Sequence, residues 1–586
     1  MYNPIVMNFK NKYCLFFMLF SIATCIVNAQ EEDELDTEVV NIVKPYTPTI
    51  SDAFKVKETP VLNDSVSEAK KPVEYSIFSV PVASTFTPAK GKAATVEKAK
   101  PIKLYDNYAT LGFGNYTSIL GELYSNFEIS RTDNAGFFFR HNSAQGDIEG
   151  VRLENKYYDT QLDANYTSRQ RDAYYRLEAG GTHQLFNWYG LPDFYEGASE
   201  EFINNADVQQ NYFGGYVGGT MAFDESIFEK LSARVRYTGD SYSSSEINAT
   251  LQPEFSFPLT DFDLKITGDV DYVSGSFEKG YVDQGFSIAY SFLNAGITPA
   301  IQFVNNDLSV SLGVAAYVTL DAENSETEFN IYPQINASYK LVDELLIAYG
   351  GVDGGLDQNT YYNFKETNPY VSPTLFIAPT SRLYDGFAGL KGKLSNSVGY
   401  NVRGSYGKEE NKALFLTNPA VDNTIDFEGY EYGNSFQIVY DDMNTLSVFG
   451  ELKVAVSDVV SVGLNAEYFS YDTTNEMQPW NLPEIKASLF SDFKFNEQWY
   501  GGASVFYVGE RMDRNLVVGP LVTPFPEEVA LDGYADLNVH LGYKVNDRLS
   551  FFAKGSNLLS DNYEKWLNYP VQGIQGLLGA TYKFDW

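Results

Sequence analysis

From Tyr534 to Tyr543 apolar and polar positions alternate, with Ala535, Leu537, Val539 and Leu541 on one face and Asp536, Asn538 and His540 on the other. A period of two is strand geometry, because successive side chains of a pleated backbone point to opposite faces. The same pattern recurs along the chain. Leu264, Ile266, Val270 and Tyr272 alternate with Lys265, Thr267, Asp269 and Asp271, and Leu308, Val310, Leu312 and Val314 with Ser309, Ser311 and Gly313. Leu446, Val448, Leu452 and Val454 alternate with Ser447, Glu451 and Lys453, and Ile485, Ala487, Leu489 and Phe493 with Lys486, Ser488 and Asp492. In the last stretch Ile574, Gly576, Leu578, Ala580, Tyr582 and Phe584 share a face without charge, opposite Gln575, Thr581 and Lys583.

The polar faces carry full charges in pairs: Arg234 with Arg236, Lys391 with Lys393, Asp269 with Asp271. Basic groups turned toward hydrocarbon would each cost ~2–4 kcal/mol at mid-bilayer, so these faces are expected to line a wet lumen while the apolar faces meet lipid. Strands of about ten residues span a bilayer when tilted. Short turns at Ser457-Asp458, Asn496-Glu497 and Asn546-Asp547 are interleaved with long loops near residues 185–206, 366–382, 412–433, 472–483 and 512–528. That asymmetry, and the absence of a fixed repeat period, predict an all-β fold: a large antiparallel transmembrane β-barrel of about 22 strands, within a range of about 18 to 24, over residues 104–586.

Composition supports this reading. Aromatic residues make up 16% of the chain, with 44 Tyr and 42 Phe; barrels use them in girdles at the two interfaces. The formal charge of −35 argues against a nucleic-acid partner, whose phosphates would be repelled. At the amino terminus Lys10 and Lys12 precede an apolar run, and Val27-Asn28-Ala29 is a small-residue cleavage pattern, so residues 1–29 read as a secretory signal peptide. Cys25 offers a competing lipid-anchor reading. Both cysteines, Cys14 and Cys25, precede the cut after Ala29, which leaves the mature chain without disulfide or thiolate chemistry. Residues 30–103 are punctuated by seven prolines, Pro45 to Pro101, and are expected to form a disordered N-terminal periplasmic arm. Within it Glu38, Val39, Val40, Ile42 and Val43 form a β-prone run that suits strand addition to a partner.

Candidate chemistry is sparse. The three histidines, His141, His183 and His540, belong to no metal-ligand motif, and no nucleophile elbow, phosphate loop or calcium loop occurs; the expectation is a non-enzyme with no cofactor, metal or catalytic residues. Two loops concentrate aromatics beside carboxylates, one holding Trp188, Tyr189, Phe194 and Tyr195, the other Tyr430. Such rings suit sugar, peptide or apolar ligands, or extend the interfacial girdle.

The segment from Asp532 to Phe584, with Ala535-Asp536-Leu537-Asn538, Gly555-Ser556-Asn557-Leu558-Leu559 and Tyr569-Pro570-Val571-Gln572-Gly573, resembles the carboxyl end of TonB-dependent outer-membrane receptors. Gly579, Tyr582 and Phe584 resemble the terminal signal read by the barrel-assembly machinery. The run at Glu38 to Val43 resembles the segment of such receptors that contacts TonB. The resemblance implies an outer-membrane location in a Gram-negative bacterium, a lipid-embedded barrel, and transport or capture of a ligand, with TonB or another periplasmic partner reached through the arm. Those receptors carry a folded plug before the barrel; here the proline-rich arm stands in its place, which leaves three states for the pore: open, plugged by the arm, or sealed by infolded loops. A non-transporting accessory or structural subunit of an outer-membrane complex is the alternative.

Overall fold

The computed structural model describes residues 103–586, apart from residues 147, 261, 282–284, 422–427, 458, 519–526 and 561. The expected signal peptide and nearly all of the arm, including Glu38, Val39, Val40, Ile42 and Val43, lie outside the described residues.

Twenty-two strands, named β1–β22 in chain order, pair antiparallel with their sequence neighbours from β1 (Asn107–Gly114) to β22 (Gln575–Phe584). The ring closes because β1 pairs on one side with β2 (Ile119–Glu128), through Leu111↔Gly121, and on the other with β22, through Leu111↔Ala580. Closure satisfies every edge, which is what a sheet in hydrocarbon requires.

The alternation read from the sequence sorts cleanly onto two surfaces. Leu111, Leu177, Val217, Ile331 and Leu578 stand out from the wall at 60–69% exposure, forming an apolar belt that only lipid can cover. Their alternate neighbours face the lumen and pair with one another. Arg403 reaches Asp385 at 2.8 Å, Lys265 reaches Glu254 at 2.9 Å, and Glu178 is held by both Arg176 and Arg234. Asp269 accepts from Gln252 and Asp271 from Asn248. Apolar outside and charged inside is the distribution of a transmembrane barrel.

Chain entry and exit mark one end. The ten turns there contain only two to four residues each, and aromatic pairs ring the rim: Trp499 with Tyr543 at 4.7 Å, Phe493 with Phe495 at 5.8 Å, and Phe584 with Trp586 at 5.2 Å. All long connections lie at the opposite end, as in outer-membrane barrels whose long loops face outward. Strand length follows the same asymmetry. β15 (Val398–Thr417) and β16 (Phe436–Ala455) run 20 residues each, about twice what a tilted span needs, so they rise beyond the bilayer toward the loops. The hydrophobic core that a soluble protein builds between layers is found here at that outer mouth, where loop residues bury themselves among inward-facing residues of the strand tips.

Candidate functional site

The described parts of four long loops, residues 188–208, 358–379, 418–435 and 557–574, close over the outer mouth. They leave the wall at widely separated points. The first follows β5 (Ala173–Asn187), the second β13 (Leu346–Asp357), the third β15, and the fourth β21 (Leu549–Ser556). On a closed ring of 22 strands, β5 and β15 stand nearly opposite each other, so side chains from these loops can touch only above the pore.

They do touch. Tyr569 stacks on Tyr370 with ring centroids 3.8 Å apart, and Tyr189 packs against both, at 4.7 Å and 5.7 Å. The Tyr569 hydroxyl donates to the Asn434 carbonyl, and the Asn434 amide donates to the Trp188 carbonyl at 2.7 Å. Trp188 Nε1 donates to the Tyr370 carbonyl at 3.1 Å, and the Tyr189 hydroxyl to the Pro570 carbonyl at 3.0 Å. One connected set of contacts thus joins all four loops. Burial pushes the Tyr370 phenol up to about 12 and raises the Glu564 carboxyl in the neighbouring loop.

A second set fastens the cap to the wall. Within the 358–379 loop a short helix, Tyr361–Thr367, starts at Thr360, whose side chain accepts from the Asn363 amide. The hairpin of β7 (Phe228–Asp240) and β8 (Ser245–Pro258) supplies two buried carboxylates to it. Glu246 accepts from the Tyr361 amide at 2.7 Å, the Tyr362 amide at 3.2 Å and the Tyr290 hydroxyl at 2.8 Å. Asp240 accepts from the Tyr361 hydroxyl at 2.7 Å. Lys365, buried on the same helix, donates to Gln184 at 2.7 Å and to Glu366 at 2.6 Å. A loop rooted beside β13 is therefore pinned to β7, β8 and β5 across the lumen. On another side Arg511 donates to the carbonyls of Glu564 and Lys565.

The sequence-selected aromatics divide as follows. Trp188, Tyr189 and Tyr430 are drawn together in the cap at 1%, 9% and 0% exposure, with Trp188 and Tyr430 edge to face at 5.5 Å. In this arrangement they pack the cap and offer no exposed ligand surface, because rings from separate loops bury one another more fully than solvent or headgroups would allow. Tyr195 is half-buried in the same loop as Trp188, stacked on Phe202 at 5.4 Å and edge to face with Tyr432 at 6.0 Å; the side chain of Phe194 is outside the described residues. Gly579, Tyr582 and Phe584 lie on the closing strand, far from the cap. Tyr370, Tyr361, Asn434, Asp240 and Glu246 escaped sequence reading. Tyr370 follows Pro369 and Tyr569 precedes Pro570, which marks rigid loop positions, yet nothing local says that the two rings meet.

No protein-family profile matches the chain, and no curated protein does. Solved structures do. The chain is similar to the ferripyoverdine receptor of the outer membrane of Pseudomonas aeruginosa, with a TM-score of 0.59 and 13% identity over 83% of this chain and 73% of that one. It is similar to the siderophore receptor PirA of Acinetobacter baumannii, with a TM-score of 0.59 and 12% identity over 82% and 81%. The FrpB iron transporter of Neisseria meningitidis gives a TM-score of 0.60 at 10% identity over 82% of each chain. The 22-strand ring, its lipid-facing belt and these likenesses give the chain the barrel fold of TonB-dependent outer-membrane receptors.

Proposed function

We propose that this protein is a surface receptor-transporter of the outer membrane whose pore is gated at its outer mouth by its own loops. The observation that carries the reading is the contact of Tyr370 with Tyr569 and Tyr189, rings that come from three parts of the wall and meet over the lumen. Beneath them the wall is lined by charged and polar side chains, which suit the passage of a hydrophilic solute. The similar solved structures include siderophore and iron receptors, which supports uptake of a ligand captured outside and makes an enzymatic role the less economical reading. A partner-driven opening fits the arm segment Glu38 to Val43, with TonB or another periplasmic protein as its ligand.

The accessory-subunit reading draws on one feature: Trp188, Tyr361, Tyr430 and Tyr569 are buried as deeply as in a stable protein core. Planar-bilayer recording separates the two. A gated transporter is closed as wild type and conducts when Tyr370→Ala and Tyr569→Ala are combined. A barrel that stays sealed in that variant, and again after residues 358–379 are replaced by a short glycine–serine linker, is not a transporter.

A further inference from the structure

The lumen wall is not uniform in how it handles cations. On the arc from β5 to β9 (Asp263–Phe277), carboxylates neutralise Arg176, Arg234, Lys230 and Lys265: Glu178 bridges the two arginines and Glu254 the two lysines, while Arg236 lies 3.7 Å from the Tyr362 ring centroid under the cap helix. The arc of β18 (Ile485–Lys494), β19 (Trp499–Val508), β20 (Tyr534–Lys544) and β21 is built differently. Three of its lysines lie over aromatic rings. Lys486 stands 5.7 Å from the Phe469 centroid, Lys544 is 5.3 Å from that of Tyr500, and Lys554 is 5.3 Å from that of Phe552. None of the three forms an ion pair among the described residues, and all three are exposed to the lumen.

An ion pair cancels charge, whereas a ring quadrupole holds a cation and leaves its charge unspent. The arc therefore keeps three positive charges free of carboxylate partners in a chain of net charge −35. Register sets the lysines at successive depths. Lys486 lies at the outer end of β18, next to a recess of about 310 Å³ that Phe469 and Tyr471 also line, beneath the cap. Lys554 is paired with His540, His540 with Gly502, and Gly502 with Asp492, one row across four strands at mid-height. That row borders a second recess, about 260 Å³, which Ser504, Asn538 and Ser556 complete. Lys544 lies lower, at the turn end of β20. Carboxylates also border the arc: Glu467 is opposite Lys486 in register without bonding to it, Asp492 belongs to the mid-height row, and Asp385 and Glu409 in the outer recess are paired with Arg403 and Lys412. Asp536 is occupied, accepting from the Asn557 amide and the Tyr563 hydroxyl.

We propose that this arc is a binding track for a soluble, ring-bearing anion, with lysines holding its acid groups at successive depths and the aromatic faces receiving its ring. Asp492 and the hydroxyl and amide groups of the mid-height recess would orient its hydroxyls. The proposal rests on the receptor-transporter reading for its biological sense, but its physical content is tested separately. Pyrenetrisulfonate, a flat trianion, is titrated against the full-length protein in detergent and followed by fluorescence anisotropy. Saturable binding is expected despite the opposing net charge. Combining Lys486→Gln, Lys544→Gln and Lys554→Gln should weaken it about tenfold, since three charge contacts are lost. Lys230→Gln with Lys265→Gln, on the neutralised arc, should leave it unchanged.

Absence of binding, or equal loss from both sets of variants, overturns the track. A second arm records the reversal potential of the Tyr370→Ala, Tyr569→Ala variant in a salt gradient. Anion preference that disappears with the three lysines supports the proposal. Conduction without anion preference defeats the track and spares the transporter reading; a pore that stays closed in this variant and after replacement of residues 358–379 defeats the transporter reading and leaves the titration to decide the track.

Discussion

Tyr569 shows how much a single side chain can carry at this outer mouth. It stacks on Tyr370, packs on Tyr189 and caps the Asn434 carbonyl, linking three loops. Removing a fully buried aromatic costs ~3–5 kcal/mol, and the partners lost here belong to different loops. Tyr569→Ala is expected to leave the barrel folded while exposing residues 188–208 to protease added to intact cells; unchanged resistance would show that the cap does not depend on this ring. Glu246 is the corresponding polar anchor. Glu246→Gln keeps its size but substitutes an amide NH₂ for one acceptor oxygen, leaving the Tyr361 or the Tyr362 amide without a partner. The expected loss is ~1–3 kcal/mol of docking energy. Faster amide hydrogen exchange across Tyr361–Thr367, with exchange in β8 unaltered, is the measurement that checks it.

At the level of elements, the two faces of one strand answer differently to the same substitution. On β22, Leu578 is 69% exposed on the lipid side, while Thr581 faces inward and pairs with Thr110 at 2.9 Å. Leu578→Arg should destabilise the barrel by ~2–4 kcal/mol if it lies near the midplane, and Thr581→Arg far less. Urea titration of folding into vesicles reads both. β22 also closes the ring, and Gly579 sits where an added Cβ would press on the Phe552 ring and come within 2.5 Å of the Leu111 carbonyl. Gly579→Val is therefore expected to impair seam closure. A low yield of heat-modifiable, folded barrel would bear this out, and wild-type yield would remove Gly579 from the assembly signal proposed for Gly579, Tyr582 and Phe584. The recognition step itself is a proposal from the resemblance, with Tyr582 and Phe584 stacked side by side at 6.1 Å near the rim.

For the molecule as a whole, the arrangement places the loop cap at one mouth and leaves short turns at the other. Deleting residues 38–43 should spare barrel folding and abolish capture of the protein by the periplasmic domain of TonB in a pull-down; retained capture would locate the contact elsewhere. Much of the architecture was legible from the chain alone. A strand's two-residue period is a local property, so each segment such as Leu308 to Ala316 declares its own faces, and summing strand and loop lengths comes close to the observed ring of 22. The charged pairs Arg234 with Arg236 and Asp269 with Asp271 pointed to a wet lumen for the same reason, since no basic group is left facing hydrocarbon cheaply.

The site was legible only as composition. Trp188, Tyr189 and Tyr430 could be picked as unusual aromatics, but an aromatic that binds a ligand, one that sits at a headgroup and one that seals a pore look alike in sequence. Which of these they are depends on ring closure, which brings loops rooted ten strands apart to within a ring's width of each other. Lys486, Lys544 and Lys554 teach the same lesson for charge. Alternation put Lys486 on a polar face, but whether a lysine meets a carboxylate or a ring is decided by the neighbouring strand's register. Period and polarity are written residue by residue; contacts between distant loops, and the balance of charge across a wall, exist only once the sheet has closed.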